Sequence, residues 1–182
     1  MAWETMSFHS INANWQSIER LLSTIRKTHV NGGVILKCFE ADDRSLFRKR
    51  IFILSNQFES RFQTFLQTVS DSNLLEEFDL EFPLDPLPTF SPIVPLALEG
   101  ELTHTILSGG AYERFRGSVD EARKLTRDFM ASILENQWLS ASAFKSDTPW
   151  SNWFYDVAWD ATYLIFDDKK ARIWLLCITD TD

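Results

Sequence analysis

Residues 158–179 read AWDATYLIFDDKKARIWLLCIT, and the two apolar runs flanking DDKK admit few folds. A four-residue loop at DDKK, or a two-residue loop at Asp168-Lys169, makes a hairpin in which Phe166 opposes Ala171 and Trp159 opposes Ile178. Side chains alternate between the two faces of a strand. Trp159, Tyr163, Ile165, Trp174, Leu176 and Ile178 therefore share one face, and Leu164, Phe166, Ile173, Leu175 and Cys177 share the other. Neither face is polar, so the hairpin must be central in a sheet or covered on both sides. Asp160 interrupts the first run, opposite Cys177 in this register. A buried carboxylate is costly unless paired or hydrogen-bonded, and backbone amides or one of Arg114, Arg116 and Arg123 are the candidate partners.

The covering layers are visible as helical periodicity. Trp15, Ile18, Leu22 and Ile25 follow the spacing of one helical face, which predicts a helix over 12–29 with Asn12 or Asn14 as its cap and Asn31-Gly32-Gly33 as its stop. VILKCFE at 34–40 is an apolar strand expected deep in the sheet. Phe47, Ile51, Leu54, Phe58, Phe62, Phe65 and Val69 form one stripe over 42–70, with Asp42 and Asp43 suited to the positive end of the helix dipole. The basic run RKR at 48–50 is read as a solvated helix face. A short helix is expected around 97–107, ending at Gly109-Gly110. Ser118-Val-Asp-Glu121 has the form of a capping box and opens a helix to about Asn136, followed by a strand, QWLSASAF. The reading is a single α+β domain over 1–182, a mostly antiparallel sheet with a C-terminal hairpin and helices packed on it.

Charge narrows the function. The chain of 182 residues carries 18 Lys and Arg against 26 Asp and Glu, a net charge of −8, which disfavours nucleic acid and anionic membranes as partners. The acid excess belongs to residues 71–182. Between Arg61 and Arg114 there is no Lys or Arg, and nine Asp and Glu fall in that interval. Its centre, EEFDLEFPLDP at 76–86, alternates Phe78, Leu80, Phe82 and Leu84 with Asp79, Glu81 and Asp85. That is the pattern of a half-buried strand with a carboxylate edge. Five of the six prolines fall in 83–95, so this strand is expected to end as an edge and run into a packed loop.

Motifs that carry chemistry are missing. His9, His29 and His104 are isolated, Cys38 and Cys177 sit in apolar runs as expected for buried reduced thiols, and no zinc spacing, phosphate-binding glycine loop or GxSxG occurs. Asp156, Asp160, Asp180 and Asp182 could gather at one sheet end, but the hairpin register points the first pair and the second pair to opposite faces. No metal, cofactor or catalytic residue is expected. Nothing at the N-terminus resembles a signal peptide, no apolar run reaches the ~20 residues needed to cross a bilayer, and the expected location is cytoplasmic.

A small, acidic, α+β chain without catalytic motifs resembles the immunity proteins of bacterial polymorphic toxin systems. The resemblance implies an inhibitor that covers a basic protein partner, a toxin domain. The expected contact residues are Glu77, Asp79, Glu81 and Asp85 for charge, with Trp150, Trp153 and Asp156 beside them as anchors. The alternatives are an enzyme using the carboxylates of the C-terminal segment, with or without a metal, and a structural subunit of an oligomer.

Overall fold

The computed structural model describes residues 6–49, 57–70, 75–135 and 137–182. Its centre is a six-stranded antiparallel sheet of β1 (Phe8–Ser10), β2 (Gly33–Ala41), β3 (Ser91–Ile93), β4 (Ala141–Ser146), β5 (Ala161–Asp167) and β6 (Arg172–Thr179), in the order β1-β2-β6-β5-β4-β3. The β5–β6 hairpin occupies the middle of the sheet, as its two apolar faces require. One face carries Tyr163, Ile165, Trp174, Leu176 and Ile178 against α1 (Gln16–Thr28), α4 (Pro95–Ser108) and α5 (Val119–Leu134). The other carries Leu164, Phe166, Ile173, Leu175 and Cys177 against α3 (Phe58–Ser70), the segment 75–90 and the loop around Trp150. Helices packed on an antiparallel sheet make this an α+β fold.

The hairpin register differs from the expectation by two residues. Phe166 pairs with Ile173 and Ala161 with Ile178. The cause lies in the turn. The Asp167 carboxylate accepts the amides of Lys169 (3.0 Å) and Lys170 (3.1 Å), so the loop runs from Asp168 to Ala171, whose φ is +57°. A slip of two leaves every side chain on its original face, and the two cores are those the alternation implies.

Local signals account for most of the helices. Ser118 accepts the Glu121 amide while Glu121 accepts the Ser118 amide, closing the capping box of α5. Pro95 opens α4 in its first turn, where its missing N–H costs nothing. Asp43 caps the short α2 (Arg44–Phe47) by accepting the Leu46 amide. Trp15, not Asn12 or Asn14, is the N-cap of α1, without a side-chain bond; its ring packs at 5.9 Å from that of Trp174. Of the stripe over 42–70, Phe47, Phe58, Phe62, Phe65 and Val69 are buried, while Ile51 and Leu54 lie outside the described residues. Strand β2 is less central than expected. β1 pairs only with Phe39–Ala41, so the Gly33–Lys37 part of its outer side has no ladder partner among the described residues. Both cysteines are buried free thiols, on opposite faces of the sheet.

Glu40 on β2 faces Arg172 on β6 across the ladder. Its carboxylate accepts from Arg172 Nε at 2.9 Å and from Arg44. Burial alone would raise its pKa; the two guanidinium groups outweigh burial and hold it below the ordinary value of 4.5. A depressed folded-state pKa contributes stability that is present above the unfolded value and lost as the pH falls through the folded one. Urea midpoints measured from about pH 7 down to about pH 3, a range that spans the ordinary glutamate pKa, should therefore fall less steeply in Glu40→Gln than in the parent protein.

Candidate partner-binding surface

The segment EEFDLEFPLDP is not a strand. Glu76–Phe78 form a single 3-10 turn, Asp79 takes a left-handed conformation (φ +46°), and the stretch up to Phe90 joins no ladder. Positive φ breaks an extended run, and Pro83 and Pro86 offer no amide to a neighbouring strand. The Leu84 amide instead donates to the Gln63 side chain on α3 at 2.8 Å. Burial still alternates: Phe78 and Leu84 are buried, Leu80 and Phe82 half-buried, and Asp79, Glu81 and Asp85 exposed. The acidic side thus faces solvent as the alternation implies, on a strap and not on a sheet edge.

An aromatic cluster fixes this strap. Phe78 is fully buried, its ring 5.0 Å from that of Trp150 and 5.6 Å from that of Trp153. Trp150 also meets Phe62 edge-on and donates its Nε1–H to Thr162 Oγ1 at 2.8 Å. With 3% of its surface exposed, Trp150 is a core residue and its ring offers no surface anchor. Trp153 is half-buried between Phe78 and Phe154. Asp156 is exposed, with φ +59°.

Between the strap and the 149–152 loop lies a groove of about 230 Å³. Asp79, Glu81 and Asp85 line it together with Asn152, and no Lys or Arg does. The Asn152 amide donates to Asp79 Oδ2 at 3.4 Å. None of these three carboxylates makes an ion pair among the described residues. Glu77 differs. Lys37 of β2 donates to its carboxylate at 2.5 Å; burial works against ionisation there, and the Lys37 bond outweighs it, leaving the pKa below its ordinary value. Lys37 is forty residues away in the chain, so nothing in the acidic stretch announces that Glu77 is compensated. Of the seven expected contact residues, the structure brings Asp79, Glu81 and Asp85 together at one groove, with the largely buried Trp150 in its wall. It pairs Glu77, buries Trp150, and places Trp153 and Asp156 in the adjoining loop outside the groove lining.

Among the described residues Asp160 has no arginine partner. Its Oδ1 accepts the Thr179 hydroxyl at 2.5 Å and its Oδ2 the Val157 amide at 3.1 Å. The two-residue slip places Thr179 in reach and Cys177 beside Thr162. Asp180 is likewise consumed: it accepts the Asn31 amide at 2.9 Å and the Ala111 amide at 2.7 Å, and Gly110 lies so close that any side chain there would collide with it. His29, Glu101, His104, Lys145, Asp147 and Asp160 surround a second cavity on the other face of the sheet. They come from separate segments, and only the oddity of Asp160 hinted at them.

The fold is thus that of an α+β protein with a groove lined by three carboxylates. No family model matches the chain, and no curated protein matches it in sequence. Among solved structures, a crystal structure of citrus MAF1 is similar over 91% of this chain and 98% of that one, with a TM-score of 0.49 and 10% identity.

Replacing Asp160 by Ala leaves the Thr179 hydroxyl and the Val157 amide without their acceptor, at a cost of roughly 1–3 kcal/mol. Asp160→Ala should lower the thermal midpoint clearly, and Asp160→Asn, which keeps one acceptor oxygen, should lower it less. Differential scanning calorimetry of the three proteins measures both.

Proposed function

We propose that the chain is a binding protein whose acidic groove engages and neutralises a basic protein partner. The observation that carries this reading is the set of Asp79, Glu81 and Asp85 around one groove, exposed, without an ion pair among the described residues, beside a buried aromatic cluster. Exposed carboxylates of this kind contribute little to folding, yet a concentration of one sign steers a cationic partner and selects against anionic ones. Trp153, half-buried beside Phe78, supplies an apolar neighbour to the charged rim. A toxin domain inhibited in the bacterial cytoplasm is the partner class that suits an acidic inhibitor of this size. An enzyme built on the C-terminal carboxylates has less support, because Asp160 and Asp180 each commit both oxygens to protein donors.

The test is charge reversal at the three unpaired positions, Asp79→Lys, Glu81→Lys and Asp85→Lys together, leaving the Lys37–Glu77 pair intact. Circular dichroism and the thermal midpoint should stay near those of the parent, as expected for exposed sites. Association with the product of an adjacent gene, where that product is a basic protein, followed by interferometry at low and high salt, should slow strongly and lose most of its salt dependence. Screening acts over a Debye length of about 8 Å at physiological ionic strength. An association rate and salt dependence equal to the parent's would reject the reading.

A further inference from the structure

The two edges of the sheet are built differently. Exposed strand edges invite pairing with another chain, and proteins blunt them with short strands, proline or charge. The β3 edge follows this rule, being three residues long and carrying Pro92. The other edge does not. β1 covers only the Phe39–Ala41 end of the nine-residue β2, and the cover ends where the Ile11 amide donates to the Cys38 carbonyl at 2.8 Å. The remaining stretch, Gly33–Lys37, holds no proline, and its one charged side chain, Lys37, is bonded to Glu77.

Parity fixes where the free backbone groups of this stretch point. The Cys38 carbonyl and the Asp42 amide meet the β1 segment, whereas the Ala41 amide meets Ala171 on the β6 side. Even-numbered residues of β2 therefore turn their N–H and C=O outward, and those of Val34 and Leu36 have no partner among the described residues. Beside them a cavity of about 460 Å³ lies between α1, the 10–14 link and the Leu36–Cys38 part of β2, with Ile11, Ala13, Ile18, Leu22 and Leu36 in its lining. Leu36 belongs to the α1 face of the sheet. Directly opposed residues share a face, so the residue opposite Leu36 in an added strand directs its side chain to the cavity side. Ile35 belongs to the other face, and carboxylates border the stretch there. Glu77 sits on Lys37, with the exposed Asp79 two residues on. Toward the Gly33 end, the Tyr155 hydroxyl donates to the Asn31 carbonyl at 3.1 Å, and the exposed Asp156 follows Tyr155.

We infer that the free edge of β2 accepts an extended segment of the basic partner, antiparallel to β2, with apolar side chains opposite Val34 and Leu36 and basic ones at the alternate positions. Strand addition of this kind draws its affinity from main-chain hydrogen bonds and its selectivity from alternate side chains. A second copy of this chain is a poorer occupant. A ladder confined to Gly33–Lys37 falls well short of the roughly 1,200 Å² at which stable interfaces begin, and each copy carries a net charge of −8. The inference rests on the partner-binding reading only for the sign of the segment's charge; the ladder itself is tested without that partner.

The probe is the peptide acetyl-Thr-Val-Lys-Val-Lys-amide, whose valines fall opposite Leu36 and Val34. Titrated into nitrogen-15-labelled protein, it should shift the Val34 and Leu36 amide resonances and slow their hydrogen exchange. N-methylation of both valines removes the ladder donors and should weaken binding by about tenfold or more. N-methylation of the central lysine, whose N–H points away from β2, should leave binding near that of the parent peptide. A peptide with glutamate in place of both lysines should also bind about tenfold less tightly. Leu36→Pro removes an outward amide that β6 does not use; it should keep the circular dichroism spectrum and lose the peptide, and where it does not fold the methylated peptides decide alone. The inference is overturned if the parent peptide does not bind, if the valine-methylated peptide binds as tightly, or if light scattering shows a parent dimer that Leu36→Pro dissociates. Equal binding of the glutamate peptide overturns the assignment of the edge to a basic partner. Unchanged partner association in the Asp79→Lys, Glu81→Lys, Asp85→Lys protein rejects the groove reading and leaves the peptide result standing.

Discussion

Tyr163 and Leu164 are adjacent in the chain, both buried, and belong to different cores. The same holds along the rest of β5 and β6, and it governs everything around them. A strand pair with two apolar faces cannot tolerate water on either, so the chain must supply two covering layers. Three helices form one. On the other face only α3 is a long helix among the described residues, and the cover is completed by irregular chain: the 75–90 strap and the Trp150 loop. Irregular segments leave backbone amides without ladder partners, and a buried amide must still find an acceptor. Side chains meet that need here. Gln63 takes the Leu84 amide, Asp160 the Val157 amide, and Asp167 the turn amides of Lys169 and Lys170.

The aromatic content finds its use in the same layer. Phe58, Phe62, Phe78, Phe90, Phe144, Phe166 and Trp150 form a continuous set of tilted and edge-on contacts with centroids 4.4–6.3 Å apart. Wide rings cover sheet surface that a strap of chain could not fill with aliphatic groups, and each pair adds roughly 0.5–1.5 kcal/mol beyond area burial. This explains why Trp150 is inside. Its neighbourhood in sequence, DTPWSNWFYD, reads as a polar loop with protruding aromatics. Only the arrival of Phe62 and Phe78 from distant segments makes Trp150 a core residue.

What could be read from the sequence followed from periodicity, and what could not depended on who meets whom. Face assignment in the hairpin is a property of parity, so it survived a two-residue slip. The partners of Asp160 depend on register: of the backbone amide and the arginine expected, the Val157 amide is found, and the Thr179 hydroxyl stands where an arginine was the alternative. The capping box at Ser118 involves residues three apart and was fully legible. The alternation in 78–85 correctly marked which side chains face water, but alternation alone does not distinguish a strand from a pinned strap, and the prolines carried that information. The cavity around His29 had no local signature. Its acids, lysine and imidazole are contributed by α4, β4, the turn before β5 and the end of α1, and proximity among them exists only after folding.

The same distinction locates the surplus charge. Residues 62–113 contain no lysine or arginine, so any cation that balances their carboxylates must come from elsewhere. Two strands deliver one. Lys37 of β2 reaches Glu77 on one face of the sheet, and Lys145 of β4 reaches Glu101 on the other. Outside the strands, Arg116 meets Glu113 only at the exposed end of the interval. Glu77 lies in the first turn of the strap, within reach of Lys37, whereas Asp79, Glu81 and Asp85 are exposed on the strap beyond it. Rings of Phe78 and Trp150 stand between those carboxylates and the strands below. The layer that seals the aromatic core thereby also leaves three negative charges without an ion pair among the described residues. Sequence composition sets how much negative charge the interval carries; the fold decides which of its carboxylates meet a cation, and the three at the groove meet none among the described residues.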